Sequence, residues 1–189
     1  MRGYYLKVYN IMILRKLFVL ILLAFGLTIT GFSQTNTYYQ NKNTLSPEDF
    51  YNISFNGITL QSIIATKGDP AKVDALFGMS MTQSKSNDPN YCWINFGNGS
   101  INLTFDELVG NLDLSGLDVL NKSVAVKIGD KVIHLGDSTD KLGSVKIFTG
   151  INTGTKFILF LPQGADGQSL RIDFNPATKT ITKITYKAT

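Results

Sequence analysis

Apolar residues recur at every second position in most of the segments beyond Tyr51, and short turns rich in Gly and Asn cut that alternation into pieces. Successive side chains of a strand point to opposite faces, so this pattern folds as half-buried antiparallel strands joined by tight turns. Tyr51, Ile53 and Phe55 lead into Asn56-Gly57 and out through Ile58 and Leu60. Asn-Gly tolerates the positive φ angles of a two-residue turn, so this stretch predicts a hairpin. Tyr91 to Phe96, the turn Gly97-Asn98-Gly99, and Ile101, Leu103 and Phe105 predict a second, with Leu112 and Leu114 in a further strand. Val124, Val126 and Ile128 turn at Gly129-Asp130 and return through Val132, Ile133 and Leu135. Phe157 to Leu161, then Leu170, Ile172 and Phe174, then Ile181 to Tyr186 complete the strands.

Helix signals are local. Ser46-Pro47-Glu48-Asp49 places a cap, a proline at the first helical position and acids in the first turn. Asp69-Pro70 opens a segment that Gly78 ends, and Val73, Leu76 and Phe77 form one apolar stripe on it. Gly136-Asp137-Ser138 starts a short helix reaching Leu142. Met79 to Asn90 carries no apolar period and reads as a polar loop. The order hairpin, short helix, antiparallel strands therefore occurs twice, at a fixed offset: Asp69 corresponds to Ser138, Lys72 to Lys141, and Ile101, Leu103 and Phe105 to Leu170, Ile172 and Phe174. The expectation is an α+β chain of two similar units, 46–118 and 119–189, each an antiparallel sheet with a short helix packed on one face.

Tandem units of this size, carried by Gly68-Asp69-Pro70 through Gly78 followed by Tyr91-Cys92-Trp93, and by Gly136-Asp137-Ser138 followed by Phe157 to Phe174, resemble one structural group. It is the group of the β-lactamase inhibitor protein and the small lipoprotein of the outer-membrane barrel assembly machinery. The resemblance spans most of 51–186 and implies that sheet faces and connecting loops bind other proteins. The group also uses disulfides or a lipid anchor. A chain with a single cysteine, Cys92, far from the N-terminus, supplies neither.

The start of the chain reads as an export signal rather than as part of the fold. Leu17 to Ile29 is a short apolar run preceded by Arg15-Lys16, and Gly31 and Ser33 are the small residues of a cleavage site. A membrane span needs about 20 apolar residues, more than this run offers. We therefore assign 1–33 to a signal peptide and 34–45, polar and aperiodic, to a flexible linker. The chain is expected to be exported, periplasmic or extracellular, with no membrane span after processing. Arg2, Lys7, Arg15 and Lys16 leave with the signal, and the remainder carries 14 basic and 14 acidic residues, one of them arginine. A neutral chain lacks the cationic face that nucleic acid requires.

The same inventory narrows the chemistry. One His and one Cys exclude multi-His and multi-Cys metal sites, and no phosphate loop or calcium loop occurs. No catalytic, metal or cofactor constellation is expected. His134, beside Gly136-Asp137, reads as a solvent-facing strand residue, and Cys92 as a buried packing residue. Asp137 and Asp140 read as stabilisers of a helix start. Tyr91 and Trp93 share one strand face. On an open face they form a binding patch, and under a helix they join the core. The reading is an exported non-catalytic binding module for a protein or an envelope component, with Tyr91 and Trp93 as its binding residues. The alternative is a secreted hydrolase whose carboxylates meet only in the fold.

Overall fold

The computed structural model describes residues 43–86, 88, 92–108 and 111–188. The signal peptide, most of the linker and Tyr91 lie outside them.

Capping sets the helices. Ser46 Oγ accepts a hydrogen bond from the Asp49 N–H (3.1 Å) and starts α1 (Pro47–Tyr51), which buries Phe50. The hairpin of β2 (Ser54–Phe55) and β3 (Ile58–Thr59) turns with both Asn56 and Gly57 at positive φ (51° and 83°). Two consecutive left-handed residues give the turn whose twist matches its flanking strands. Thr59 then caps α2 (Leu60–Ala65), accepting from the Ser62 N–H, and Leu60 and Ile63 are buried. Leu60 was expected in the hairpin. Leu60, Ile63 and Ile64 instead follow helical spacing behind a threonine cap, and that pattern prevails. Asp69 Oδ1 accepts from the N–H groups of Ala71 (3.0 Å) and Lys72 (3.2 Å) at the start of α3 (Pro70–Phe77), and Gly78 ends it at φ 65°. Asp69→Ala removes both acceptors and is expected to lower stability by about 1 kcal/mol in urea unfolding, with Asp69→Asn retaining most of it. Equal losses from the two variants would contradict the capping role.

The remaining elements are strands. β4 (Thr82–Lys85), β5 (Trp93–Gly97), β6 (Ile101–Leu108) and β7 (Asn111–Val119) form one antiparallel meander. β8 (Val126–Ile128) and β9 (Lys131–Ile133) form a hairpin, followed by a 3₁₀ turn (Thr139–Leu142). β10 (Ile147–Thr149), β11 (Lys156–Pro162), β12 (Gln168–Phe174) and β13 (Ile181–Ala188) form a second meander. The last residues assigned to the linker form β1 (Asn43–Leu45), and the polar loop contains β4.

The expected pair of similar α+β units is corrected here. The large sheet runs β1-β11-β12-β13-β7-β6-β5-β4, with β10 also on β11, so nine strands from both halves share it. A second sheet, β3-β2-β8-β9, likewise takes one hairpin from each half. The second half holds a four-residue 3₁₀ turn where the first has α3, because Gly143 at φ 73° stops it. The physical reason for the merger is edge pairing. Each meander, closed on itself, would leave the N–H and C=O groups of β7 and β13 unpaired, and pairing them satisfies both. At the two seams Leu117 lies opposite Tyr186, and Asn56 exchanges hydrogen bonds with Ala125, each pair 69 residues apart.

The outer edge of β11 is shared in two stretches, antiparallel with β10 and parallel with β1. The Asn43 side chain links them, accepting from the Lys146 N–H (2.8 Å) and donating to the Lys146 and Leu159 carbonyls.

One face of the large sheet carries the core. Ile94, Phe96, Leu103, Phe105, Leu117, Leu170, Ile172, Ile184 and Ile158 are buried with Phe50, Ile53 and Phe55, Leu60, Ile63 and Val73, and Val126 and Ile133 from α1–α3 and the small sheet. Leu114 and Leu117 are three residues apart yet both buried, because the register shifts at Thr104/Phe105 and leaves Ser115 extra. Ile181 and Ile184 share the core face by a second shift, at Asp173/Phe174. A bulge is the device that returns a three-residue spacing to one face.

Candidate functional site

The opposite face of the large sheet is mainly polar over β4–β7. Strand alternation that buries Ile94 and Phe96 turns Trp93, Asn95 and Gly97 the other way. Register then fixes their neighbours. Gly97 lies between Thr82 and Asn102, Asn95 between Ser84 and Thr104, and Trp93 opposite Asp106. Asn102 faces Asp118, and Thr104 faces Gly116. Across the seam Asp118 faces Thr185, and Thr185 faces Arg171, so one row of paired positions runs from β4 to β12, with a gap in its side chains at Gly97.

The glycines sink this face into a groove of about 460 Å³, lined by Thr82, Ser84, Asn95, Asn102, Thr104 and Asp118 around Gly97 and Gly99. A Cβ at Gly97 would stand 2.6 Å from Asn102 Oδ1, so only glycine lets that amide lie across β5. Asn95 Oδ1 is shielded from solvent and accepts no hydrogen bond from any described residue. An orphaned buried acceptor costs about 1–3 kcal/mol. Asn95 lines the groove, and a turn about its Cβ–Cγ bond exchanges the oxygen and nitrogen, which is the movement that would bring the acceptor to a donor there. Asp118 is the one charged residue in the lining. It accepts from Thr185 Oγ1 (2.8 Å) and faces Lys183 Nζ (3.4 Å), which leaves the groove close to neutral.

Trp93 is half-buried on this open face, and Tyr91 lies outside the described residues. Further along the same face, over β10–β12, aromatic and cationic groups stack. Phe148 lies on Phe157 (5.8 Å between centroids, 20° between planes), Arg171 covers Phe157 at 4.1 Å, and Lys146 approaches Phe148. Arg171 also bonds Asp173 (2.6 Å).

The other sequence candidates fall elsewhere. Cys92 is exposed rather than packed, because it precedes β5 and lies beyond the reach of the core. His134 is half-buried rather than solvent-facing. Its Nδ1 is 3.2 Å from Asp137 Oδ2, which also accepts the His134 N–H at 2.8 Å. Asp137 is bonded to Lys141 as well (2.8 Å), and that contact above all holds its carboxyl below the ordinary range. This His–Asp–Lys group fastens the corner between β9 and the 3₁₀ turn, and the hydrogen bond of the His134 ring goes to a carboxylate rather than to a hydroxyl or thiol. Asp130 and Asp140 are likewise pulled down, first by hydrogen bonds to Lys131 and Lys179. A general acid needs the opposite shift. Among the described residues no group of three or more His, Cys, Asp and Glu is placed to hold a metal, and no helix is long and apolar enough to cross a membrane.

Of the two expected binding residues, Trp93 lies on the same face as the groove but is not part of its lining. Asn95, Asn102, Thr104 and Asp118 were missed, although each occupies an alternate position between core residues, and Gly116 was missed because it follows a bulge. Comparison with family models, with curated proteins and with solved structures finds no match for the chain.

Proposed function

We propose that this chain is exported and serves as a non-catalytic binding module, holding a protein or cell-envelope ligand on the open face of its large sheet. The observation that carries the reading is a polar groove around Gly97 on the same strand face as Trp93, lined by Asn95, whose shielded Oδ1 has no donor among the described residues, together with Asn102 and Thr104. Polar groups that converge on a depression without partners of their own suit a ligand that supplies them. Export is supported by the apolar run Leu17 to Ile29 behind Arg15-Lys16 and before Gly31 and Ser33. The hydrolase alternative gains no support, since the carboxyls with shifted pKa are all held ionised by lysines.

The test is capture from the envelope fraction of the cell that makes the protein. Thr104→Arg fills the groove from a half-buried position on the open face and leaves the core untouched. The wild-type chain is expected to retain a specific component that Thr104→Arg, with unchanged melting temperature, does not. Equal capture by both, or no capture by either, would refute the reading.

A further inference from the structure

We infer that the groove over β4–β7 takes a neutral saccharide chain; this rests on the binding-module reading and names its ligand class. The lining supplies what vicinal hydroxyls need. The Asn95 and Asn102 amides each offer a donor and an acceptor, and Thr82, Ser84 and Thr104 offer hydroxyls that do both. The only charge, Asp118, is already engaged by Thr185 and Lys183, so neither an anionic nor a cationic ligand gains an ion pair in the groove.

Trp93 lies two residues from Asn95 on the same strand and face, where an indole covers the apolar C–H face of a sugar ring while the amides bind its edge. Turned toward the groove, the orphaned Asn95 oxygen supplies the specific acceptor, since a sugar hydroxyl is a donor that a hydrophobic side chain is not. A polypeptide fits this surface less well. Protein partners anchor through aromatic and aliphatic side chains in desolvated apolar pockets. Here Phe96 is the one apolar lining residue, and it belongs to the core. A peptide that instead added a strand would use an edge. The edge of β11 is taken by β10 and β1, and β4 is four residues long, polar, and ends in Lys85.

The chain has a single tryptophan, so its fluorescence reports on Trp93 alone. The protein as its expressing cell yields it is titrated with neutral hexasaccharides of glucose, N-acetylglucosamine, xylose and mannose in their common linkages. Polygalacturonate serves as the charged control. At least one neutral hexasaccharide is expected to shift Trp93 emission saturably, with polygalacturonate inert. Asn95→Ala is expected to weaken that binding tenfold or more without lowering the melting temperature, since it deletes an unsatisfied group. Trp93→Phe, followed by calorimetry, is expected to weaken it less than Trp93→Ala. Silence of the whole panel at millimolar concentration overturns the inference. If envelope capture still depends on the groove in that case, the binding reading stands and only the saccharide falls. If capture is also insensitive to Thr104→Arg, both fall. A captured polypeptide that itself shifts Trp93 emission overturns the saccharide in favour of a protein ligand.

Discussion

Phe105→Ala is expected to lower stability by about 3–5 kcal/mol, the range for deleting a fully buried phenyl ring. Phe105 is 0 % exposed and packs edge-on against Phe96 (5.8 Å between centroids, 88° between planes). It also meets the backbone of Gly68, the residue before the cap of α3, where an added Cβ would stand 3.1 Å from Phe105 Cγ. The ring thus lies between the sheet and the turn that aims α3 at it. Removing it empties a site lined on one side by backbone, which collapses poorly. A domain of this size has roughly 5–15 kcal/mol in all, so the loss should lower Tm by about 10 °C or more. Gly68→Ala tests the same contact from the other side. It forces a side chain into φ 66° and against the ring, at an expected cost of about 1–2 kcal/mol. In the Phe105→Ala background the contacts with the ring atoms disappear, and the φ cost and the 3.2 Å approach to the remaining Cβ are what is left. The double variant should therefore be more stable than the two single losses combined imply, by at least about 0.5 kcal/mol. Strict additivity, or a Phe105→Ala loss below about 1.5 kcal/mol, would mean that this contact does not hold α3 on the sheet.

Local rules were legible in the sequence and distant ones were not. Ser46, Asp69 and Ser138 each cap the segment they were expected to cap, because a cap is decided by the next three residues. The turns at Asn56-Gly57 and Gly129-Asp130 follow from φ preference alone. β4, with the sequence Thr-Gln-Ser-Lys and every residue exposed, has no signal of its own and exists because β5 offers an unpaired edge. β1 exists for the same reason, along β11. The merger of both halves into one sheet depends on β7 meeting β13, a choice between edges that local pattern does not encode.

The candidate site divides along the same line. Alternation between Ile94 and Phe96 places Trp93 and Asn95 on one face. The opposing Gly116 and Asp118 depend on the bulge at Thr104/Phe105, which changes the phase of β7 midway. A strict period of two carried through Leu112 and Leu114 puts Gly116 on the core face and Leu117 on the open one. The folded chain does the reverse, because burying Leu117 opposite Tyr186 outweighs one irregular ladder position.

Tyr186 at that seam leads to the second large effect, which appears at alkaline pH. Its side chain is 1 % exposed, opposite both Leu117 and Leu170 and beside Phe50. Burial above all, with smaller contributions from Tyr51 and Asp113, drives its hydroxyl well above the ordinary phenol value of 10.0. The unfolded chain therefore releases this proton at a lower pH than the folded chain does. The stability linked to it is fully present below pH 10 and is lost as pH rises above 10 toward the folded value, by about 1.4 kcal/mol per pH unit. By pH 12 the loss reaches about 2–3 kcal/mol, a large share of a marginal total. Tyr186→Phe keeps the ring in the seam and deletes the proton. It is expected to change stability at pH 8 by no more than about 1 kcal/mol and to flatten the alkaline limb by about one proton. Urea midpoints measured from pH 8 to pH 12 on both proteins read this directly. Parallel limbs would show that the Tyr186 hydroxyl ionises as freely in the folded chain as in the unfolded one, and that burial at the seam between β7 and β13 does not hold its proton.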